Sequence, residues 1–351
     1  MSFDANRSKR PVRGGGGSGR IASVSWWLGL LALTGCASPL TQPMGLALGP
    51  PVLCDDVVVT ADGYRLPLRV WRPEGPMVAV MLALHGFNDY SNAFATVGPV
   101  LARHGILTYA YDQRGFGATV LPGLWPGTET LIADLRAVTG VLLQQHPGVP
   151  LYLLGESMGG AVVMSALADP VPPDSPLARV AGAVLVAPAV WGRETMGLLP
   201  RLTLAMANAV VPNFTLTPPR ALHIRPSDND EMLRAYSRDP LVLKATRVDT
   251  INGLVELMGQ ALASTPRFRT PALVLYGAHD QILPHTAIER MLSSLPRHHQ
   301  SIAIYRDGWH MLLRDRHGGV VVNDIVAWLR TPSAPLPSGA DRRPQPPLSG
   351  S

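Results

Sequence analysis

The chain has 351 residues, 46% of them hydrophobic and 16% charged, a composition that builds a sizeable core and excludes an intrinsically disordered protein. The formal net charge of +5 is concentrated at the start, where Arg7, Lys9, Arg10, Arg13 and Arg20 against Asp4 give residues 1–35 a net +4 and leave +1 for the rest. No basic footprint remains for a nucleic-acid partner, and two cysteines, Cys36 and Cys54, exclude a disulfide framework and a thiol-rich metal site.

Residues 1–36 read as a targeting segment. The basic stretch leads into Ile21–Leu33, thirteen apolar or small residues. That run is too short to span a bilayer as a helix and fits a signal h-region. Leu33-Thr-Gly-Cys36 follows it and resembles the bacterial lipobox. The resemblance implies that Cys36 is acylated, becomes the new N-terminus and holds the protein at a membrane surface, since two acyl chains suffice for stable anchoring. Ala37 after the cysteine implies an outer-membrane, periplasm-facing location in a bacterial envelope. Cys54 then has no partner and is expected to be a buried small hydrophobe.

Residues 37–54 are punctuated by Pro and Gly without a period and are expected to form a linker. Val57–Thr60 and Leu66–Trp71 predict strands around an Asp62-Gly63 turn. Met77–Leu84 is a continuous apolar run, the mark of a central strand, and it ends in His85-Gly-Phe-Asn-Asp89. Ile106–Tyr111 is the next strand, ending in Asp112-Gln-Arg-Gly-Phe-Gly117. Apolar residues at 131, 135, 138, 141 and 142 predict a helix over 130–145.

Leu151–Leu154 is a further apolar run. It passes through Gly155-Glu-Ser-Met-Gly-Gly160 into a helical pattern reaching about Ala168, and Val180–Ala187 is the next strand. Strands alternating with helices predict an α/β fold, a mostly parallel central sheet flanked by helices with right-handed crossovers. From 188 to 266 the alternation stops. This Leu-, Met- and Pro-rich stretch predicts three or four short helices, a helical cap inserted over the C-terminal ends of the strands, where open α/β sheets bind ligands. The core is accordingly expected over 55–187 and 267–330. Ala272–Tyr276 ends in Gly277-Ala-His-Asp280, a helix follows from about Pro284 to Leu295, and Ser301–Tyr305 ends in Arg306-Asp-Gly-Trp-His310. An amphipathic helix over 320–329 closes the core. The Pro/Ser-rich residues 331–351 are expected to be disordered.

The chemistry sits at strand ends. Gly-x-Ser-x-Gly at Gly155, Ser157 and Gly159 lies between a buried strand and a helix, the context of a strained, exposed nucleophile. Ser157, Asp280 and His310 each follow an apolar strand, so a parallel sheet gathers them at one edge. A serine hydroxyl needs an imidazole to take its proton and a carboxylate to hold that imidazole in the right tautomer. His310 is the candidate base and Asp280 its orienter. His279 points away from Asp280, as neighbours on a strand do. His285, His298, His299 and His317 sit in polar contexts, Asp307 shares a turn with His310, and Asp112 reads as structural with Arg114 nearby. A tetrahedral intermediate needs two fixed N–H donors. Met158 supplies one and Phe87 the other, with Asn88 the second choice, while His85 braces that loop.

Leu84-His-Gly-Phe-Asn-Asp-Tyr-Ser91, Tyr111-Asp-Gln-Arg-Gly-Phe-Gly117, Gly155-Glu-Ser-Met-Gly-Gly160, Tyr276-Gly-Ala-His-Asp280 and Gly308-Trp-His310 together resemble the monoacylglycerol lipase and lysophospholipase branch of the α/β-hydrolase superfamily, over roughly residues 55–330. The resemblance implies a carboxylic-ester hydrolase whose cap admits one acyl chain, acting on a small-molecule lipid ester and needing no cofactor and no metal. The same motifs serve acyltransferases. A serine peptidase removing N-terminal residues is the nearest rival and needs an acidic pocket for the substrate amine. A non-catalytic binding lipoprotein is the remote one, and it requires a lost catalytic residue.

Overall fold

The computed structural model describes residues 38–342 apart from 169, 218–223, 297 and 299. The h-region, the lipobox with Cys36, and residues 343–351 lie outside the described residues, as does His299.

The strands are β1 (Val52–Leu53), β2 (Val57–Val59), β3 (Arg65–Trp71), β4 (Ala79–Leu84), β5 (Ile106–Tyr111), β6 (Leu151–Glu156), β7 (Gly182–Val186), β8 (Thr215–Leu216), β9 (Thr246–Arg247), β10 (Ala272–Gly277) and β11 (Gln300–Tyr305). Nine of them form one sheet in the order β1-β2-β3-β5-β4-β6-β7-β10-β11. From β5 to β11 the pairing is parallel, and β1, β2 and β3 add an antiparallel margin. The Asp62-Gly63 turn joins β2 to β3 as expected, with Gly63 at φ 76°, a conformation glycine adopts without strain.

The helices are α1 (Val97–Arg103), α2 (Thr128–Gln145), α3 (Met158–Ala166), α4 (Leu198–Val210), α5 (Asp230–Arg238), α6 (Val248–Ser264), α7 (His285–Ser294) and α8 (Gly318–Arg330). Side chains alternate along each strand, so every buried strand feeds two cores. Val80, Leu82 and Leu84 of β4 join Leu135, Val163 and Ile288 on one face. Ala79, Met81 and Ala83 join Leu101, Ile325 and Trp328 on the other. The sheet therefore lies between two helical layers, which explains the unbroken apolar runs. Helix α1 carries Gly98 and Pro99 in its first turn, residues that read as punctuation yet are tolerated there.

Between β7 and β10 the chain leaves the sheet for α4, α5, α6 and the small β8–β9 pair, called the cap below. These are three helices among the described residues. Only α6 buries one of its faces, while α4 and α5 contain no buried residue.

Three expectations are corrected. Residues 40–48 are not a loose spacer but a strap laid on the body. Leu40 N–H donates to Asp249 Oδ2 at 3.1 Å, Gln42 N–H to Trp125 O at 3.0 Å and Leu48 N–H to Ala61 O at 2.6 Å. Cys54 is exposed, because it turns the chain between β1 and β2 at the sheet margin, with Asp55 and Asp56 exposed beside it. Residues 331–342 are ordered. Leu336 is buried, Ser338 N–H donates to the buried Asp324 Oδ1 at 3.0 Å, and Ile304 N–H donates to Ala340 O at 3.4 Å. This segment covers β11, the edge strand, whose open hydrogen-bonding groups are better paired than left free.

Candidate active site

The turn from β6 into α3 fixes Ser157. Its backbone stands at φ 53°, ψ −114°, a region costing a non-glycine residue roughly 1–3 kcal/mol. The surroundings hold it there. Ser157 N–H donates to Val186 O at 2.9 Å, and Ser157 O accepts from Ala189 N–H at 2.9 Å. A Cβ on Gly159 would come 2.2 Å from Leu84 O, and one on Gly155 would come 2.6 Å from the Gly159 backbone. Only glycines let the helix approach the sheet this closely, which accounts for their spacing.

The ends of β10 and β11 are tied together. Ala278 N–H donates to Tyr305 O and His279 N–H to Gly308 O, each at 2.9 Å. Asp280 is 3% exposed and His310 5%. His310 Nδ1 meets Asp280 Oδ2 at 2.8 Å, and His310 Nε2 meets Ser157 Oγ at 3.0 Å. Asp280 Oδ1 accepts from Ile282 N–H at 2.8 Å and Leu283 N–H at 3.1 Å. The carboxylate is thus fixed by its own turn and aimed at the imidazole. His279, one residue away, is exposed and lies against Trp309 instead.

Burial pushes the His310 imidazole down, but the Asp280 carboxylate more than offsets this and raises its pKa above the ordinary value, with Glu156 adding in the same direction. Burial pushes the Asp280 carboxyl up, and His310 with the two backbone N–H groups brings it below its ordinary value. Both shifts favour an ionised Asp280 that steadies the imidazolium when it forms.

Gly86 lies against Ser157: a Cβ there would stand 3.3 Å from Ser157 Cβ. Phe87 follows Gly86 in this loop, and Met158 follows Ser157. Among the described residues neither N–H is given to an acceptor; that of Met158 opens α3, where the first-turn donors have no intrahelical partner. Asn88 has φ 62°, and its side chain donates to Thr246 Oγ1 at 2.7 Å, which ties the loop to the cap. His85 braces the loop as expected. It is fully buried, its Nε2 accepts from Gln113 N–H at 2.9 Å, and its Nδ1 lies 2.8 Å from Gly86 O. Asp112 caps two turns, accepting from Ser91 N–H and Ala118 N–H, both at 2.9 Å. Arg114 is not its partner. It pairs with Asp62 at 2.8 Å and Asp134 at 2.9 Å.

Sequence reasoning missed a buried ion cluster beneath the serine. Arg314 is paired with Asp89 at 2.8 Å and Glu156 at 3.0 Å. Burial opposes the Arg314 charge, but the two carboxylates hold it above its ordinary pKa. Burial pushes the Glu156 carboxyl up, against the pull of Arg314. Glu156 and Asp89 stand inside recognised motifs, and Arg314 lies four residues beyond His310, but nothing in the sequence pairs them.

Above Ser157 opens a cavity of about 780 Å³, within the range of small-molecule sites. Its walls are mainly apolar, with Met196, Leu204, Leu254, Met258 and Ile282 among them, and Ser157, His310 and Arg314 at its base.

A mostly parallel sheet with a serine on the strand–helix turn and an Asp–His pair on the two last strand ends is the architecture of an α/β-hydrolase. Residues 75–317 match the family described as serine aminopeptidase, S33, and the chain belongs to that family. It is similar to the monoglyceride lipase of Rattus norvegicus, 26% identical over 283 residues, covering 78% of this chain and 89% of the relative. It is also similar to the monoacylglycerol lipase of Mycolicibacterium smegmatis, 25% identical and covering 76% and 93%. In backbone it resembles the crystal structure of the Paleococcus ferrophilus monoacylglycerol lipase, with a TM-score of 0.62 at 22% identity over 75% of this chain and 98% of that one.

Proposed function

We propose that the protein is a serine hydrolase that cleaves the carboxylic esters of lipids, monoacylglycerol- or lysophospholipid-like, through an acyl-enzyme on Ser157. The observation that carries this reading is the unbroken Asp280–His310–Ser157 chain, with contacts of 2.8 Å and 3.0 Å, opening into an apolar cavity. Similarity to monoglyceride lipases supports it. Ser157 Oγ attacks the ester carbonyl as its proton passes to His310 Nε2. The carbonyl oxygen gains the negative charge and meets the Phe87 and Met158 amides. The intermediate collapses, the alcohol leaves with the proton from His310, and the acyl group stays on Ser157. Water then attacks the acyl carbonyl, giving its proton to His310, and the fatty acid departs as Oγ is reprotonated.

The family description raises the aminopeptidase reading. Such an enzyme needs a free carboxylate for the substrate ammonium. Among the described residues lining the cavity the acidic groups are Asp89 and Glu156, and both are held by Arg314. The mainly apolar walls, with Arg314 engaged by both carboxylates, favour an ester with an uncharged acyl chain. Turnover of p-nitrophenyl esters from acetate to palmitate tests this: preference for medium or long chains is expected, and a steady fall with chain length contradicts the lipid assignment.

The anchoring belongs to the same reading: acylation at Cys36, in a bacterial envelope, at the outer membrane facing the periplasm. Besides the lipobox, support comes from α4, which turns Leu204 into the cavity and leaves Leu199 and Met206 exposed. Mass spectrometry of the N-terminal peptide is expected to find acylated Cys36, and Cys36→Ser to leave the membrane fraction.

A further inference from the structure

Three surface segments without a single charged residue meet at the N-terminal end of α6. They are residues 38–54, 115–128 and 202–217. Hydrogen bonds join them. Gln42 Nε2 donates to Leu121 O at 3.1 Å and Leu124 O at 3.2 Å. Thr250 Oγ1 donates to Gly123 O at 2.7 Å. Asp249, which accepts from Leu40, gives its own N–H to Pro212 O at 2.9 Å.

The shared surface is apolar and open: Leu46 is 89% exposed, Leu48 80%, Val120 61%, Phe214 57%, Leu121 56% and Leu40 53%. Single exposed leucines are ordinary, but a contiguous group marks an interaction site. Of the carboxylates bonded to the strap, Asp62 is paired with Arg114 and Asp249 with Arg247, and the exposed Asp55, Asp56 and Glu129 stand just past the ends of the uncharged segments. The face lies at the sheet edge that carries Ser157. β3 runs antiparallel to β5 with Leu68 opposite Tyr111, so the turn before β3, on which the strap rests, extends past the C-terminal end of β5.

We propose that this strap-centred face rests on a lipid surface and seats the protein with its cavity edge toward the membrane. The proposal builds on the anchoring reading above. Four residues lead from Cys36 to Leu40, no more than ~14 Å of chain at about 3.5 Å per residue. An anchor at Cys36 therefore holds this face, before any other, beside the lipid. The face lies on the bilayer and does not cross it, as no helix among the described residues is long and apolar enough to span one. The strap also binds the start of α6, whose Ile251, Leu254 and Met258 line the cavity, so the face and the cavity wall share one helix.

The test uses the full chain with Cys54→Ser, purified from membranes and labelled with an environment-sensitive fluorophore at Leu48→Cys or, separately, at Glu74→Cys. Glu74 is exposed on the connection entering β4, at the sheet edge opposite Ser157. The protein is reconstituted into phosphatidylethanolamine–phosphatidylglycerol vesicles containing a doxyl lipid. Quenching several-fold stronger at position 48 than at 74 is expected. Equal background quenching on vesicle-bound protein overturns the face and leaves the anchor standing. Protein that stays soluble overturns both. A spectral shift at position 48 that follows protein concentration and not lipid assigns the face to a second copy and also overturns the proposal. Independently, Leu46→Asp with Leu48→Asp is expected to slow hydrolysis of vesicle-borne monoacylglycerol several-fold while leaving a soluble short-chain ester unaffected; equal loss on both substrates counts against it.

Discussion

The sheet edge that carries Ser157 and the outer cap are built on opposite terms. At the edge, Ser157, Asp280 and His310 are held by hydrogen bonds of 2.8–3.0 Å and Arg314 by ion pairs of 2.8 Å and 3.0 Å. In the cap, α4 and α5 bury no residue at all, and their apolar side chains face the cavity or the outside. The contrast teaches that geometry is stored in one region and adaptability in the other. A relay needs atoms fixed to fractions of an ångström, whereas an acyl chain needs only a deformable apolar wall, for which Met and Leu suit. Changes at the edge are expected to alter rate at constant specificity, and changes in the outer cap to alter specificity at constant stability.

The largest effect is expected from Ser157→Ala, a loss of about 10⁶ in kcat with unchanged thermal unfolding. Asp280→Asn follows, at about 10⁴. In the wild type, His310 must be neutral to accept the serine proton, so kcat/KM is expected to rise with pH through a titration lying above the ordinary 6.5. Asp280→Asn removes the charge that raises it and moves that limb to lower pH. Stability runs the other way. A raised folded-state pKa contributes stability that is complete below the unfolded value and is lost as pH climbs through the folded one. Between 6.5 and the raised value, activity should therefore grow while this contribution fades, a divergence that a pH–rate profile and matched denaturation curves would expose.

Arg314→Met leaves Asp89 and Glu156 buried and unpaired, and should destabilise by roughly 3–5 kcal/mol in urea unfolding. Adding Glu156→Gln is expected to recover part of that loss, and no recovery would remove the cluster as the cause. The smallest stability effect is expected in the outer cap. Leu199→Ser or Met206→Ser should stay within about 0.5 kcal/mol yet lower turnover of lipid-borne substrate, and a large loss of stability would break the contrast between the two regions.

Much of the edge was legible in the sequence because it is written in local signals. Unbroken apolar runs announce strands covered on both faces, and the glycines around Ser157 mark a close backbone approach. The last two strands run into Asp280 and His310, while their polar neighbours His279 and Asp307 point away or share the same turn. What escaped was set by distant partners. Nothing local places Arg314 between Asp89 and Glu156. Residue type alone makes Cys54 a core candidate, while its exposure follows from a turn at the sheet margin. The 331–342 segment has a disordered composition, but the buried Asp324 carboxylate and the open edge of β11 give it something to bind. The strap is held in the same way, by hydrogen bonds to Ala61 and to Trp125 and Asp249 far along the chain.

The most direct test of the central claim is acid quenching of the wild-type protein during turnover of p-nitrophenyl laurate, followed by peptide mass spectrometry. An acyl group on Ser157, absent in Ser157→Ala along with the turnover, is the predicted result. Turnover without an acyl-serine, or turnover that survives in Ser157→Ala, would contradict the account.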